Sequence, residues 1–84
     1  MTTNKTKSQA RGYSLWMMRQ VDAADPALLG VRLAKFCIAK EIPVRQVAQD
    51  LGVSKQAIYA WFVGRFSPNA ALTPKVEAWL EKHA

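Results

Sequence analysis

Large apolar residues recur at helical spacing along most of the chain, and proline or glycine separates one such segment from the next. In residues 13–24, Leu15, Met18 and Val21 fall on one face of a predicted helix, and Ser14 is placed to cap its start. This segment is more apolar than an isolated surface helix needs to be. It therefore packs on the main domain or forms a subunit interface, and the sequence leaves both alternatives open.

Asp25-Pro26 predicts the start of a second helix over about residues 26–40, because an N-cap acceptor is followed by proline at the first helical position. One stripe of this helix carries Leu29, Leu33, Phe36, Cys37 and Lys40. Arg32 and Lys35 fall on other faces. On this stripe Cys37 is interpreted as a small buried hydrophobic residue rather than a nucleophile.

Ile42-Pro43 ends this helix, and a third helix is predicted from about Val44. A loop over Asn69–Leu72 precedes Thr73-Pro74, which repeats the cap-then-proline start. The apolar side of the last helix is formed by Val76, Trp79 and Leu80. No strand-like alternation or internal repeat is visible in the sequence. The pattern therefore predicts an all-α, compact bundle of about five helices.

Residues 44–61 have the pattern of two helices joined by a tight turn. Gly52 is suited to a backbone with positive φ, and Ser54 offers a hydroxyl N-cap to the second helix. The side chains predicted to face inward are Val47, Ala48, Leu51, Val53, Ile58 and Trp61. The outward face of the second helix carries Lys55, Gln56, Tyr59 and Ala60. Such a face, rich in hydrogen-bond donors, suits base-pair edges in a DNA major groove.

The chain has 84 residues, enough for one small domain, and its 12 Lys and Arg against 6 Asp and Glu give a formal net charge of +6. This balance fits a surface that binds a polyanion, although many small basic domains bind none. Residues 1–12 are polar and basic, and they are predicted to be a flexible N-terminal arm. The arm is a disordered leader or a flexible segment that follows a phosphate backbone or enters a groove, and both can hold because such arms are disordered until they bind. Residues 13–84 are predicted to form the domain.

Several function classes are disfavoured by residue types. The single cysteine, Cys37, cannot form an internal disulfide, and His83 is the only histidine, so we expect no metal site and no cofactor. No Ser/His or Cys/His pair and no glycine-rich phosphate loop is present, so we expect no enzyme activity. Residues 1–11 lack the apolar segment of a signal peptide, and we expect a cytoplasmic bacterial protein, associated with the nucleoid when bound to DNA.

The pattern V-A-Q-D-L-G-V-S-K-Q-A-I-Y-A-W, residues 47–61, resembles the helix-turn-helix of the Cro and phage-repressor family, also called the xenobiotic-response-element family. The following W-F-V-G-R-F-S-P, residues 61–68, is similar to the W-E-x-G-R-x-x-P run of many members. The resemblance covers about residues 26–68. It implies a lambda-repressor-like fold with the helix-turn-helix at about residues 44–62.

The resemblance also implies roles for single residues. Lys55 and Gln56 match the start of the recognition helix, where family members hydrogen-bond base edges. Ala60 matches another reading position and offers only a methyl contact to thymine, while Tyr59 beside it is placed to touch a base or a phosphate. The phosphate contacts implied around the turn and in the following loop belong to Arg45, Gln46, Ser54 and Arg65.

Some positions depart from the family pattern. Phe62 stands where many members have Glu, and Val63 and Phe66 replace residues that are commonly polar. Val44 occupies a position that is often a phosphate-contacting Gln in phage repressors. The three apolar replacements predict that the region after the recognition helix packs against the final helix or against a second subunit.

The predicted function is a sequence-specific, double-stranded DNA-binding transcriptional repressor that binds a palindromic operator as a homodimer through the major groove. A small chain with a single DNA-binding domain resembles the repressors encoded by phages and conjugative plasmids, including the Kor-type plasmid regulators. The alternative is an antitoxin-like or adaptor module that holds a partner, such as a second regulatory protein. It would use an aromatic surface comprising Tyr13, Trp16, Phe62 and Phe66.

Overall fold

Five α-helices form the secondary structure of residues 13–84, the part of the chain that the computed structural model describes. They are α1 (Leu15–Ala23), α2 (Leu29–Lys40), α3 (Val44–Leu51), α4 (Lys55–Phe62) and α5 (Thr73–His83). This part of the chain contains no strand, which confirms the all-α prediction. The predicted arm over residues 1–12 lies outside it. None of the five helices is both long enough and apolar enough to cross a membrane.

The core lies around α2, which packs against α1, α4 and α5, while α3 packs against α4 and α5. Within residues 13–84 the buried side chains are apolar or aromatic, and among them the Tyr13 hydroxyl and the Trp79 indole nitrogen are both hydrogen-bonded. The largest fully buried side chains are Phe62, Leu33, Ile58, Val21, Val31, Val47, Val76 and Cys37. Burial of this apolar surface is the main favourable contribution to folding.

Helix α1 begins as predicted, because the Ser14 Oγ accepts a hydrogen bond of 3.0 Å from the backbone N–H of Met17. The predicted buried face is confirmed for Val21, and Met18 is half-buried against the core. It is wrong for Leu15, which is 61 % exposed. Met17 is buried in its place.

The contacts of Tyr13 explain why Met17 rather than Leu15 faces the core. Its ring stacks on Phe62 with a centroid distance of 6.1 Å, and its hydroxyl donates to the Ile42 carbonyl oxygen at 2.5 Å. Burial, assisted by the neighbouring Cys37 and Tyr59, raises the pKa of the Tyr13 hydroxyl well above its ordinary value. Because Tyr13 is held at this point, residues four and eight positions later, Met17 and Val21, are the ones that turn inward.

The predicted start of α2 at Asp25-Pro26 is wrong, because the helix begins at Leu29. The Asp25 carboxylate instead accepts from the Ala27 N–H at 2.9 Å, and the Asp25 carbonyl accepts from the Leu28 N–H at 3.1 Å. Aspartate followed by proline also favours a β-turn, and that alternative is realised here. Lys40, predicted on the apolar stripe, is exposed.

Helix α5 begins at Thr73, but Thr73 is not its cap. Leu72 occupies the N-cap position, and the Thr73 hydroxyl donates to the Asn69 carbonyl oxygen at 2.9 Å. The Asn69 side chain accepts from the Leu72 N–H at 2.9 Å and so organises the turn before the helix. The predicted apolar side of α5 is confirmed, with Val76 and Trp79 buried.

Trp79 ties α5 to α3 and to α2. Its indole nitrogen donates to the Asp50 carboxylate at 2.9 Å, and its ring meets Phe36 edge-on with centroids 5.9 Å apart. The ring of His83 stacks on the other side at 4.1 Å. A polar tip that is satisfied by a carboxylate lets this large aromatic side chain be buried without an unpaired donor.

Helices α2 and α4 approach each other most closely at Gly30. A Cβ atom placed on Gly30 would lie 2.4 Å from the Trp61 carbonyl oxygen and 2.7 Å from the Trp61 Cβ. No side chain fits in that space, so glycine sets the separation of the two helices. Because α4 also packs on α3, this contact fixes where α4 stands on the domain.

Candidate nucleic-acid interface

A three-residue connection, residues 52–54, joins α3 to α4. Gly52 ends α3 with φ 70° and ψ 34°, which is the left-handed conformation that the sequence predicts for it. Ser54 caps α4, because its Oγ accepts from the Ala57 N–H at 3.1 Å. That bond uses a lone pair and leaves the hydroxyl hydrogen free to donate to another acceptor. The turn is therefore short and defined at both ends.

Helix α4 has two distinct faces. Ile58, Trp61 and Phe62 are buried against the rest of the domain, which confirms the inward direction predicted for Ile58 and Trp61. On the opposite side, Lys55 and Gln56 are exposed. Tyr59 is also exposed and Ala60 is half-buried. The exposed side chains take no part in the core, so their polar groups are available to a ligand.

Helix α3 presents a second set of polar side chains. Its inward face is formed by Val44, Val47, Ala48 and Leu51. Arg45 and Gln46 lie in the first turn of α3 and are exposed. The predicted phosphate-contacting residues of α3 are thus accessible. Val44, which stands where phage repressors often have a phosphate-contacting Gln, is buried in the core and is not available for such a contact.

The chain after α4 stays close to that helix. Gly64 adopts φ 80°, and the Arg65 N–H then donates to the Ala60 carbonyl oxygen at 3.0 Å. Arg65 itself is exposed. Its backbone is therefore fixed at the end of α4, while its guanidinium group is free to reach a neighbouring anion.

A concavity of about 500 Å³ lies between the first turn of α1 and the outward face of α4. Its lining comprises Ser14, Trp16, Met17, Gln56, Tyr59, Ala60, Val63 and Arg65. The structure thus brings four of the predicted site residues together in one surface. Arg45, Gln46, Ser54 and Lys55 are outside this lining, on α3 and at the start of α4.

The contribution of α1 to this surface was not predicted from the sequence. Ser14, Trp16 and Met17 line the concavity beside α4, and Trp16 is 63 % exposed. The pattern of Tyr13, Met17 and Val21, spaced four residues apart, is the signal that would have placed Trp16 on the outward side. The sequence is equally compatible with an inward face through Leu15 and Met18, and it does not determine which of the two faces is buried.

The charge distribution distinguishes this concavity from others on the described surface. All six acidic residues lie in residues 22–50 and 77–81, so residues 1–21 and 51–76 contain none. The concavity is lined entirely from these two acid-free segments and includes Arg65. Three other concavities include Glu77 and Glu81, Asp22, or Asp50 in their linings. An anion therefore meets no carboxylate among the residues lining the α1–α4 concavity.

The predicted aromatic surface is only partly present. Tyr13 and Phe62 are buried and stack on each other, so Phe62 is covered by its own chain and belongs to the same core as Val76 and Trp79 of α5. Val63 is half-buried in the concavity lining. Trp16 and Phe66 remain exposed, Phe66 at 65 %. An extended patch built from all four predicted aromatic residues does not exist.

The one cysteine among residues 13–84 lies in the core. Cys37 is fully buried in α2, and burial raises the pKa of its thiol from 9.0 to about 12. It is therefore protonated and shielded from solvent near neutral pH, as expected for a core residue. Within the same residues no group of His, Cys, Asp and Glu side chains is arranged to hold a metal ion.

No known protein family, curated protein or solved structure matches this chain. The helix-turn-helix interpretation therefore stays a prediction, based on the sequence pattern of residues 44–68 and on the geometry of the α3–α4 pair.

Proposed function

We propose that this protein is a sequence-specific double-stranded DNA-binding transcriptional repressor in which α3, the Gly52 turn and α4 form a helix-turn-helix. The observation that carries the proposal is the outward face of α4. Lys55, Gln56 and Tyr59 are exposed there on a helix whose other side is buried, and the adjoining concavity has no carboxylate in its lining. A polar helix face beside a concavity whose lining has no carboxylate suits the major groove of DNA.

In this proposal the exposed residues of α4 read base edges. Gln56 is suited to accept from the N6 amino group of adenine and to donate to its N7, and Lys55 is suited to donate to guanine O6 and N7. Ala60 offers a methyl group to thymine, and Tyr59 reaches a base or a phosphate. Helix α4 has eight residues and spans about 12 Å, so one copy reads only a few base pairs.

Groups around α4 hold the phosphates and so fix the register of the protein on the duplex. Arg45 and Gln46 extend from the first turn of α3, the Ser54 hydroxyl lies at the start of α4, and Arg65 follows its end. These contacts add affinity without selecting a sequence. A net charge of +6 supports the same electrostatic contribution.

The short reading helix favours a homodimer. Two copies related by a two-fold axis would present their α4 helices about 34 Å apart, one turn of DNA, and would bind a palindromic operator. We propose that occupancy of such an operator excludes polymerase, in the manner of the small phage and Kor-type plasmid repressors that the sequence resembles. The proposal involves no catalytic step and no cofactor, and it places the protein on the bacterial nucleoid in the cytoplasm.

Selection of bound duplexes from a random DNA pool tests this function. We expect a palindromic motif whose half-sites are centred about one helical turn apart. Affinity for the selected duplex and for a scrambled duplex of equal composition is then measured against salt concentration. Binding that depends steeply on salt but selects no motif would contradict a sequence-specific repressor.

One observation favours a second candidate, a protein-interaction module of the antitoxin or adaptor kind. Leu15, Trp16 and Phe66 are large apolar residues with more than half of their surface exposed. Exposed apolar surface of this kind is common at protein interfaces. The same pool selection discriminates between the two functions, because a module of this kind that does not bind DNA enriches no motif.

A further inference from the structure

Trp16 is the tryptophan that the fold leaves in solvent. It is 63 % exposed, whereas Trp61 and Trp79 are 5 % and 6 % exposed. Helix α1 uses Met17 and Val21 to pack on the domain, so the exposure of Trp16 does not follow from any demand of the core. A large aromatic side chain held in water forgoes the favourable burial that it would otherwise gain.

The position of Trp16 points to a ligand shared with α4. Its side chain lines the same concavity as Gln56, Tyr59 and Arg65, so the first turn of α1 forms one wall and the outward face of α4 the other. Since Tyr13 is anchored on Phe62 and on the Ile42 carbonyl, that wall is fixed relative to α4. Any molecule that lies along α4 and fills this concavity meets the indole.

The charge of the surroundings favours a nucleic-acid backbone as the occupant. The concavity is lined from residues 14–17 and 56–65, which contain Arg65 and no acidic residue. An indole offers an N–H donor to a phosphate oxygen and a flat apolar face to a deoxyribose. We propose that Trp16 is a DNA-contact residue, which packs against the sugar–phosphate strand at the edge of the groove occupied by α4. This inference rests on the proposed function.

Protection of Trp16 from a neutral quencher is the direct measurement. Acrylamide is preferred to iodide, because DNA repels iodide whether or not the indole is covered. All three tryptophans lie in the described residues, and two of them are buried, so acrylamide quenching reports on Trp16. We expect a duplex selected from the random pool to remove most of this quenching. A Trp16→Phe variant should lack the quenchable emission both with and without DNA.

Affinity measurements supply the second readout. We expect Trp16→Ala to lower affinity about tenfold, the effect of about one lost contact, on selected and scrambled duplexes alike. Leu15→Ala is the matched control, since Leu15 lies in the same turn and is 61 % exposed but is outside the concavity lining. It should leave affinity within about twofold, a change of about 0.4 kcal/mol at most.

The outcomes separate this inference from the proposed function. If the selected duplex binds while Trp16 stays fully quenchable and Trp16→Ala binds as tightly as the unmodified protein, the inference is wrong and the repressor function stands. If no duplex is bound by the unmodified protein, the proposed function itself fails. Protection of Trp16 by raising the protein concentration without DNA would assign this surface to self-association and would also overturn the inference.

Discussion

Replacement of Gly30 by alanine tests whether the spacing between α2 and α4 is as close as the structure shows. The added Cβ would lie 2.4 Å from the Trp61 carbonyl oxygen and 2.7 Å from the Trp61 Cβ. Both atoms are fixed by the backbone of α4, so neither can rotate away from the new methyl group. Relief of the contact requires the two helices to separate by about 1 Å, because ordinary contacts begin at 3.4 Å.

Two effects of opposite sign decide the result. Alanine inside a helix is ordinarily favoured over glycine by about 1 kcal/mol. Overpacking of a tight core contact costs about 1–3 kcal/mol, and a clash with backbone atoms belongs at the upper end of that range. We therefore expect Gly30→Ala to lower the free energy of unfolding by about 2 kcal/mol, the difference of the two effects. For a domain of this size, that corresponds to a fall in Tm of about 8–16 °C.

Thermal and urea unfolding followed by circular dichroism measures this change. Ala39→Gly, at an exposed position of the same helix, is the matched control and should lower the free energy of unfolding by about 1 kcal/mol through helix propensity alone. In the folded fraction, displacement of α4 should also weaken DNA binding. A Gly30→Ala protein as stable as the unmodified one would refute the close packing of α2 on α4.

Three further predictions concern the proposed interface and the core. Gln56→Ala should cost about 1–3 kcal/mol of binding free energy on the selected duplex and relax one base position, which a repeated pool selection detects; unchanged affinity would remove Gln56 from the reading face. Arg65→Ala should weaken binding to all duplexes alike and reduce the salt slope by about one, and a change in base preference would contradict a phosphate contact. The pKa of the Cys37 thiol is raised to about 12 in the folded protein, so the folded state favours the protonated thiol. The resulting contribution to the free energy of unfolding is complete below about pH 9 and is lost as the pH rises to about 12. Urea midpoints across this range should fall less steeply in Cys37→Ala than in the unmodified protein, and equal slopes would contradict the burial of the thiol.

The residues that determine local backbone conformation were well predicted from the sequence. The positive φ of Gly52 and the capping hydroxyl of Ser54 follow from the intrinsic preferences of single residues and from the turn that they flank. The all-α class and the inward direction of Ile58 and Trp61 follow from helical spacing. These features depend on neighbours within a few residues along the chain.

The errors arise where tertiary contacts choose between local alternatives. Asp25-Pro26 is equally suited to a helix cap and a β-turn, and the structure selects the turn. The stripes through Leu15 and through Met17 are both plausible until the contact of Tyr13 with Phe62 fixes the rotation of α1. Both that contact and the position of Trp16 beside α4 join residues that are far apart in the sequence, so the local sequence pattern does not reveal them.

Helix α4 has one buried face and one exposed face, and this division affects which of its residues can change during evolution. Ile58, Trp61 and Phe62 maintain the fold, whereas Lys55 and Gln56 make no contribution to the buried core. Exposed positions of this kind usually change stability by less than about 0.5 kcal/mol when they are substituted. A duplicated gene for this chain can therefore exchange these surface residues one at a time with little effect on the stability of the fold. Under the proposed function, such exchanges would change the DNA sequence that is bound without compensating changes in the interior.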